Sequence, residues 1–506
     1  MQNNLKTLLS YLILAHLFFP SNACKSRTQP VPTHREFHIQ YTDSVTEGPV
    51  SCRVYVILDK AIHRTPRFGP SIFSPEPFYA IDVEDWKPEE TIILDNKSLG
   101  YPVEVDRIPP ELYAIQAVMD INTTHRSFSI APGNGYSQKS IHEIKEGETH
   151  IIELTIDQVV EEQKFKEGEF IKYLAVPSPK LSEFYGWDVS IEAAVILPES
   201  YPKTKDSNIQ YPTVYVFPGW GATHLSVQGG DYQQRRYGMS GYGLEKVFIV
   251  FNQECPLGYH VFADSENNGP WATALIEDFI PSFERAFRVI PAASARFLTG
   301  QSSGGWASLW LQITHPEMFG GVWAASPDPV DFRNFIGCDI YKKGANLYED
   351  PPGHLGSILR RWTRMEQVIG DGEQMLSFEA VFSPKASDGR PQPLYDRKTG
   401  AVFPEVAEAW KAYDIQILLT QTNRTQAANL QGKIHIYAAE DDEVGLDEPV
   451  KLLRNSANAK KTPIEVDAVI YPSGGHGVWR DEMRERIHSQ MDAVILTHHP
   501  ELKKYP

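Results

Sequence analysis

The stretch Thr299-Gly300-Gln301-Ser302-Ser303-Gly304-Gly305 constrains this chain more than any other. It sets a serine between two glycines in a G-x-S-x-G spacing, after a short apolar run from Arg296 to Thr299 and before helix-compatible text from Trp306 to Leu311. A strand that turns sharply into a helix crowds the residues on both sides of the bend, and Gly300 and Gly304 bring no Cβ to that collision. Ser302 is thereby expected to be lifted out of the turn. A serine hydroxyl is a weak nucleophile at neutral pH, so the same feature demands a base and a carboxylate to orient it further along the chain.

Both follow in order. The apolar run Lys433 to Ala438 leads into Glu440-Asp441-Asp442-Glu443, and the run Val466 to Tyr471 leads into Pro472-Ser473-Gly474-Gly475-His476-Gly477. His476, flanked by glycines, sits in a loop able to carry an imidazole over a sheet edge. His435 alternates within a strand, and His488, His498 and His499 fall on or after a terminal helix. His476 is therefore the expected base and Asp442 the expected acid, with Asp441 its open neighbour and Asp328 a further alternative. The tetrahedral intermediate also needs donors for its oxyanion. One is expected from the backbone N–H of Ser303 and the other from Trp220, in the turn Pro218-Gly219-Trp220-Gly221 that ends the run Thr213 to Phe217.

Around these residues the text alternates short apolar runs with longer helical segments, as a mostly parallel sheet with helices on both faces requires. The expected strands are Thr213–Phe217, Val247–Phe251, Arg296–Thr299, Gly321–Ala325, Lys433–Ala438 and Val466–Tyr471. Between the last two pairs, residues 329–431 carry Pro351-Pro352, Gly389-Arg390-Pro391 and a helical pattern near Val406 to Leu419, and are expected to form a cap over the sheet. Residues 36–165 read differently: period-two runs such as Phe37–Tyr41, Cys52–Leu58, Tyr113–Val118 and Ile151–Ile156 predict an Ig-like β-sandwich. The charged stretch 161–168 marks the boundary, giving a catalytic domain over 166–506.

The 506 residues carry 48 basic and 65 acidic side chains, a net charge of −17 that opposes a nucleic-acid role. Lys6, the apolar stretch Leu8 to Phe19, and Pro20-Ser21-Asn22-Ala23-Cys24 have the order of an export signal over 1–24, with a linker over 25–35. Ala23-Cys24 is similar to a lipoprotein box, so a lipid anchor at Cys24 stands beside simple secretion. Cys52, Cys255 and Cys338 allow at most one intramolecular bridge in the mature chain. No metal-ligand cluster, phosphate loop or flavin fingerprint is present, so no metal and no cofactor are expected.

Taken together, Tyr211-Pro212-Thr213-Val214 with Pro218-Gly219-Trp220-Gly221, the elbow Gly300 to Gly305, and Gly475-His476 with Trp479 resemble the putative-esterase branch of the α/β hydrolases. That group contains feruloyl, acetyl xylan and enterochelin esterases and S-formylglutathione hydrolase. The likeness runs from about Lys172 to the C-terminus. Three positions depart from the family pattern: Pro218 replaces a histidine, Ser303 replaces a methionine, and no glycine precedes the acid in Ala439-Glu440-Asp441-Asp442. The resemblance implies an α/β-hydrolase fold and an exported serine esterase using Ser302, His476 and Asp442, acting on small-molecule or polysaccharide-linked esters, acyl or feruloyl. It also implies that the segment Phe262 to Trp271 lines the pocket, giving Gly219, Asn268, Trp271 and Trp479 as substrate-pocket residues. A serine peptidase or acyltransferase on the same residues, or a non-catalytic carbohydrate-binding protein, are the alternatives.

Overall fold

The computed structural model describes residues 34–69, 76–205, 208–228 and 232–504. The export signal and most of the linker expected at the N-terminus lie outside them. Cys52, Cys255 and Cys338 are all free thiols.

The first part of the chain folds as β-structure, with long strands Arg35–Tyr41, Val50–Asp59, Phe78–Trp86, Glu111–Asp120 and His150–Val159. The two-sheet reading needs correction in its hydrogen bonding: nine strands form one sheet. Its two halves are joined because the short strand Gly135–Ser137 pairs with both Glu111–Asp120 and His150–Val159. Ile39, Val54, Ile115 and Ile156 are fully buried, in a cluster drawn only from residues 37–156. The cluster draws on both halves of the sheet order, Phe37 and Leu154 from one and Val54 and Ile115 from the other.

The second part is built on an eight-stranded sheet, numbered here β1 to β8 in chain order: Ile171–Pro177, Ser190–Ile196, Thr213–Phe217, Val247–Phe251, Arg296–Ser302, Gly321–Pro327, Ile434–Ala439 and Asp467–Tyr471. The spatial order is β1-β2-β4-β3-β5-β6-β7-β8. β2 is antiparallel to both its neighbours, and the strands from β4 to β8 pair in parallel. β3, β4 and β6 are buried along their whole length, as strands covered on both faces must be. β1 and β2 escaped the sequence reading, since Ile171–Pro177 and Ser190–Ile196 mix Ala, Lys and Glu into short edge-like runs. Helix α1, Ser303–Thr314, follows β5 directly.

Between β6 and β7 the insertion supplies helices α2, Leu355–Ile369, and α3, Gln374–Phe382, followed by three shorter helices. α2 faces two ways. Leu359 and Trp362 join the main core of the second domain, whereas Met365, Val368 and Ile369 pack on the outer face of the N-terminal sheet against Tyr55, Phe78 and Tyr101. Tyr55 Oη donates to the carbonyl of Ile369, and Arg53 Nη1 to that of Val368 at 3.2 Å, capping the C-terminal end of α2.

Candidate active site

Everything in the elbow follows from the tightness of the turn from β5 into α1. Ser302 adopts φ 57° and ψ −126°, a strained backbone for a residue with a side chain. A Cβ on Gly300 would stand 2.2 Å from the carbonyl oxygen of Gly304, and one on Gly304 would stand 1.9 Å from that of Phe217. Both glycines are therefore obligatory. The turn after β3 comes into contact with the elbow less tightly, a Cβ added to Gly219 lying 3.3 Å from the Gln301 carbonyl oxygen and 3.4 Å from Ser302 Cβ.

This closeness brings the Trp220 backbone beside the serine. The Trp220 N–H has no acceptor among the described residues, and Ser303, at the first position of α1, has an N–H that the helix itself cannot satisfy. These two N–H groups are the candidate oxyanion donors.

The acidic cluster divides its work. Asp442 Oδ2 stands 3.1 Å from His476 Nδ1, with its carboxylate fully buried, and its Oδ1 accepts from the Val444 N–H at 3.0 Å. Asp441 Oδ1 accepts from the Gly475 N–H at 2.7 Å and Glu443 Oε2 from the His476 N–H at 2.8 Å. Asp442 is thus the carboxylate on the imidazole, while its neighbours hold the loop. Burial works to lower the His476 pKa, but the hydrogen bond and charge of Asp442, with the charges of Asp328 and Glu443, outweigh it and raise the ring above the ordinary value of 6.5.

A second carboxylate lies on the other side of the serine. Ser302 Oγ donates to Asp328 Oδ1 at 3.2 Å, and Ser303 Oγ donates to Asp328 Oδ2 at 2.6 Å. Gln374 at the start of α3 reaches Ser303 Oγ at 3.2 Å. Burial pushes Asp328 up to about 6, against the pull of the Ser303 and Ser302 hydroxyls and the His476 charge. It arrives here through a register shift where β5 leaves β6 and through Ser326, which takes φ 36°.

Ser302, Asp328 and His476 open on one cavity of about 540 Å³, whose wall includes Gly219, Trp220, Trp362 and Phe378. That size and mix of apolar walls with a few polar groups suit a small organic ligand. Three expected pocket residues are elsewhere. Asn268 is fully buried and Trp271 stacks on the His260 ring at 3.5 Å, because the segment Asp264–Pro270 forms a small hairpin packed inward. Trp479 gives its indole N–H to Gln301 Oε1 at 2.8 Å, while Gln301 Nε2 donates to the His476 carbonyl at 2.7 Å, so it braces the base from behind. The sequence reading missed Gln374 and the whole N-terminal contribution to the wall, Phe68, Gly69 and Arg126 to Ser129. No motif surrounds any of them. Among the described residues, no group of three or more His, Cys, Asp or Glu is arranged to hold a metal ion, and no helix is long and apolar enough to cross a membrane.

A parallel sheet with an antiparallel start, a serine at the elbow after β5 and an imidazole after β8 define a serine hydrolase of the α/β-hydrolase fold. The putative esterase family model matches residues 186–480, more than half of the chain, and the chain belongs to that family. Among curated proteins, the lysosomal Pro-X carboxypeptidases of Pongo abelii and Homo sapiens are each 26% identical over 145 residues, which is 26% of this chain and 29% of theirs. The matched stretch thus spans less than a third of those relatives. Among solved structures, a ferulic acid esterase aligns at 17% identity over 64% of this chain and 98% of that one, with a TM-score of 0.39. An S-formylglutathione hydrolase from Agrobacterium tumefaciens aligns at 14% identity over 65% and 98%, with a TM-score of 0.38.

Proposed function

We propose that this serine ester hydrolase is exported and works through an acyl-enzyme formed on Ser302. Ser302 Oγ attacks the ester carbonyl carbon as its proton passes to His476 Nε2, Asp442 holds the ring in the required tautomer, and the N–H groups of Trp220 and Ser303 receive the oxyanion. Collapse expels the alcohol, which takes the proton from His476. A water deprotonated by the same imidazole then releases the acid. The Ser302 hydroxyl bonds Asp328 in the structure, so the first step includes a turn about Cα–Cβ toward the imidazole; such catalytic hydrogen bonds commonly tighten only with substrate in place.

The observation that carries this reading is the shared cavity: a serine strained at the elbow and an imidazole anchored through its far nitrogen open onto the same space. Apolar and aromatic walls favour esters of aromatic or medium-length acids, feruloyl esters among them, and the export signal read from the sequence favours carbohydrate-linked substrates outside the cell, with Cys24 as the site of a lipid anchor. A fluorophosphonate should label Ser302, and Ser302→Ala should abolish labelling and lower kcat by about 10⁶. A folded chain whose Ser302 stays inert would favour a non-catalytic binder. The short match to the carboxypeptidases favours a peptidase as second reading; a panel of chromogenic esters beside Pro-containing peptides separates the two.

A further inference from the structure

Arg126 enters the site from the N-terminal domain, on the connection between strands Glu111–Asp120 and Gly135–Ser137. Its side chain is 9% exposed and lines the cavity that holds Ser302. The guanidinium lies 4.8 Å above the Trp220 ring and 5.6 Å from that of Tyr259. Nε donates to Glu254 Oε1 at 3.0 Å, and Nη1 donates to the carbonyl of Gly372 at 3.3 Å and stands 3.6 Å from Glu373. Tyr259, in turn, donates its hydroxyl to the carbonyl of Ala222 at 2.7 Å.

One side chain therefore touches three segments of the second domain: the turn after β3, the hairpin that carries Glu254, and the Gly372–Glu373 entry to α3. The first presents the Trp220 N–H and the third carries Gln374 to Ser303. No hydrogen bond among the described residues fixes the Trp220 side chain, since its buried indole N–H is unbonded, and its ring meets Tyr259 only at 6.5 Å. A planar cation over the ring, itself fixed by two carboxylates, supplies that constraint. The fit is close, because a Cβ on Gly372 would stand 2.5 Å from Arg126 Cγ.

We propose that Arg126 is a positioning residue: the N-terminal domain uses it to hold the oxyanion turn at Trp220 and the start of α3 in register with Ser302, so that the site is complete only with both domains docked. This rests on the esterase reading above. A misplacement of reacting groups by about 1 Å can cost about 100-fold in rate, so the effect belongs in kcat rather than in KM.

The test uses the full mature chain. Arg126→Lys keeps the charge between Glu254 and Glu373 but not the planar stack, and Arg126→Met with Glu254→Gln keeps neither while stranding less charge. Arg53→Ala removes a domain contact made by a residue that does not itself line the cavity. With p-nitrophenyl acetate, both Arg126 variants should melt cooperatively, lose tenfold or more in kcat with KM within threefold, and react correspondingly slowly with a fluorophosphonate; Arg53→Ala should stay within twofold. The proposal is overturned if the folded Arg126 variants keep kcat within threefold, if the loss lies in KM alone, or if Arg53→Ala loses as much. A wild-type chain inert to both reagents would instead remove the esterase reading, and this proposal with it.

Discussion

In the eight-stranded sheet β3, β4 and β6 are apolar and buried from end to end, whereas His150–Val159 of the N-terminal sheet alternates buried with exposed residues. The contrast separates two ways of building a site. A strand covered on both faces has no side chain to spare, so chemistry is confined to the loops leaving its C-terminal end, and Trp220, Ser302, Asp328, Asp442 and His476 all lie there. A sheet with one face turned inward keeps the other for docking. It spends that face on α2 and sends Arg126 and its neighbours to the cavity wall. The domain of the eight-stranded sheet carries the candidate reacting groups, and the N-terminal domain presses on them from outside.

The sharpest way to break this division is at the acid. If Asp442 alone orients the imidazole and Asp441 merely holds the Gly475 loop, Asp442→Asn should lower kcat by about 10⁴, as loss of the required tautomer does elsewhere. Asp441→Asn should cost far less. Steady-state kinetics on a chromogenic ester checks both, and a larger loss at Asp441 would reverse the assignment. The pH profile gives a second check. Because His476 is held above 6.5, it stays protonated to higher pH and the acid limb of kcat/KM should lie above 6.5 in the wild type.

Asp328 gives the next effect, and it acts on both stability and the pH profile. Its carboxyl moves from an ordinary 3.8 to about 6 in the folded chain. The proton is thus held more tightly when folded; the stabilisation this gives is full below pH 3.8 and is lost as pH rises through about 6. Asp328→Asn should therefore raise stability at pH 8 by about 3 kcal/mol, with the gain fading toward pH 4, as chemical denaturation at the two pH values would show. Its charge also helps to raise His476, so the same variant should move the acid limb of kcat/KM to lower pH. An unmoved limb would mean that the second carboxylate does not sense the base.

What could be read from the sequence follows the same division. That Ser302, Asp442 and His476 meet at one sheet edge was legible because each obeys a local rule: a glycine-flanked bend, a turn after an apolar run, a glycine loop. Asn268 and Trp271 were placed in the pocket on the family resemblance, whereas the short hairpin Asp264–Pro270 and the helix that starts at Trp271 turn both into the core. The position of Asp328 depends on a register slip between β5 and β6 that no residue type announces. Arg126 was illegible for a different reason: Asn122-Thr123-Thr124-His125-Arg126 is an ordinary polar loop, and its meaning comes only from the docking of one sheet on one helix.

The smallest effect tests that docking. Tyr55 Oη caps α2 through the Ile369 carbonyl, and burial raises its pKa well above the ordinary value, so the hydroxyl remains a neutral donor at any physiological pH. Tyr55→Phe removes one hydrogen bond and leaves the apolar contact with Met365 and Val368 in place. A buried bond of this kind is worth about 1 kcal/mol, and the urea midpoint should fall accordingly while kcat and KM stay within twofold. A clear fall in kcat from Tyr55→Phe would show that the site responds to any slackening between the domains. The influence of the N-terminal domain would then travel through the seating of α2, and Arg126 would be one contact among several.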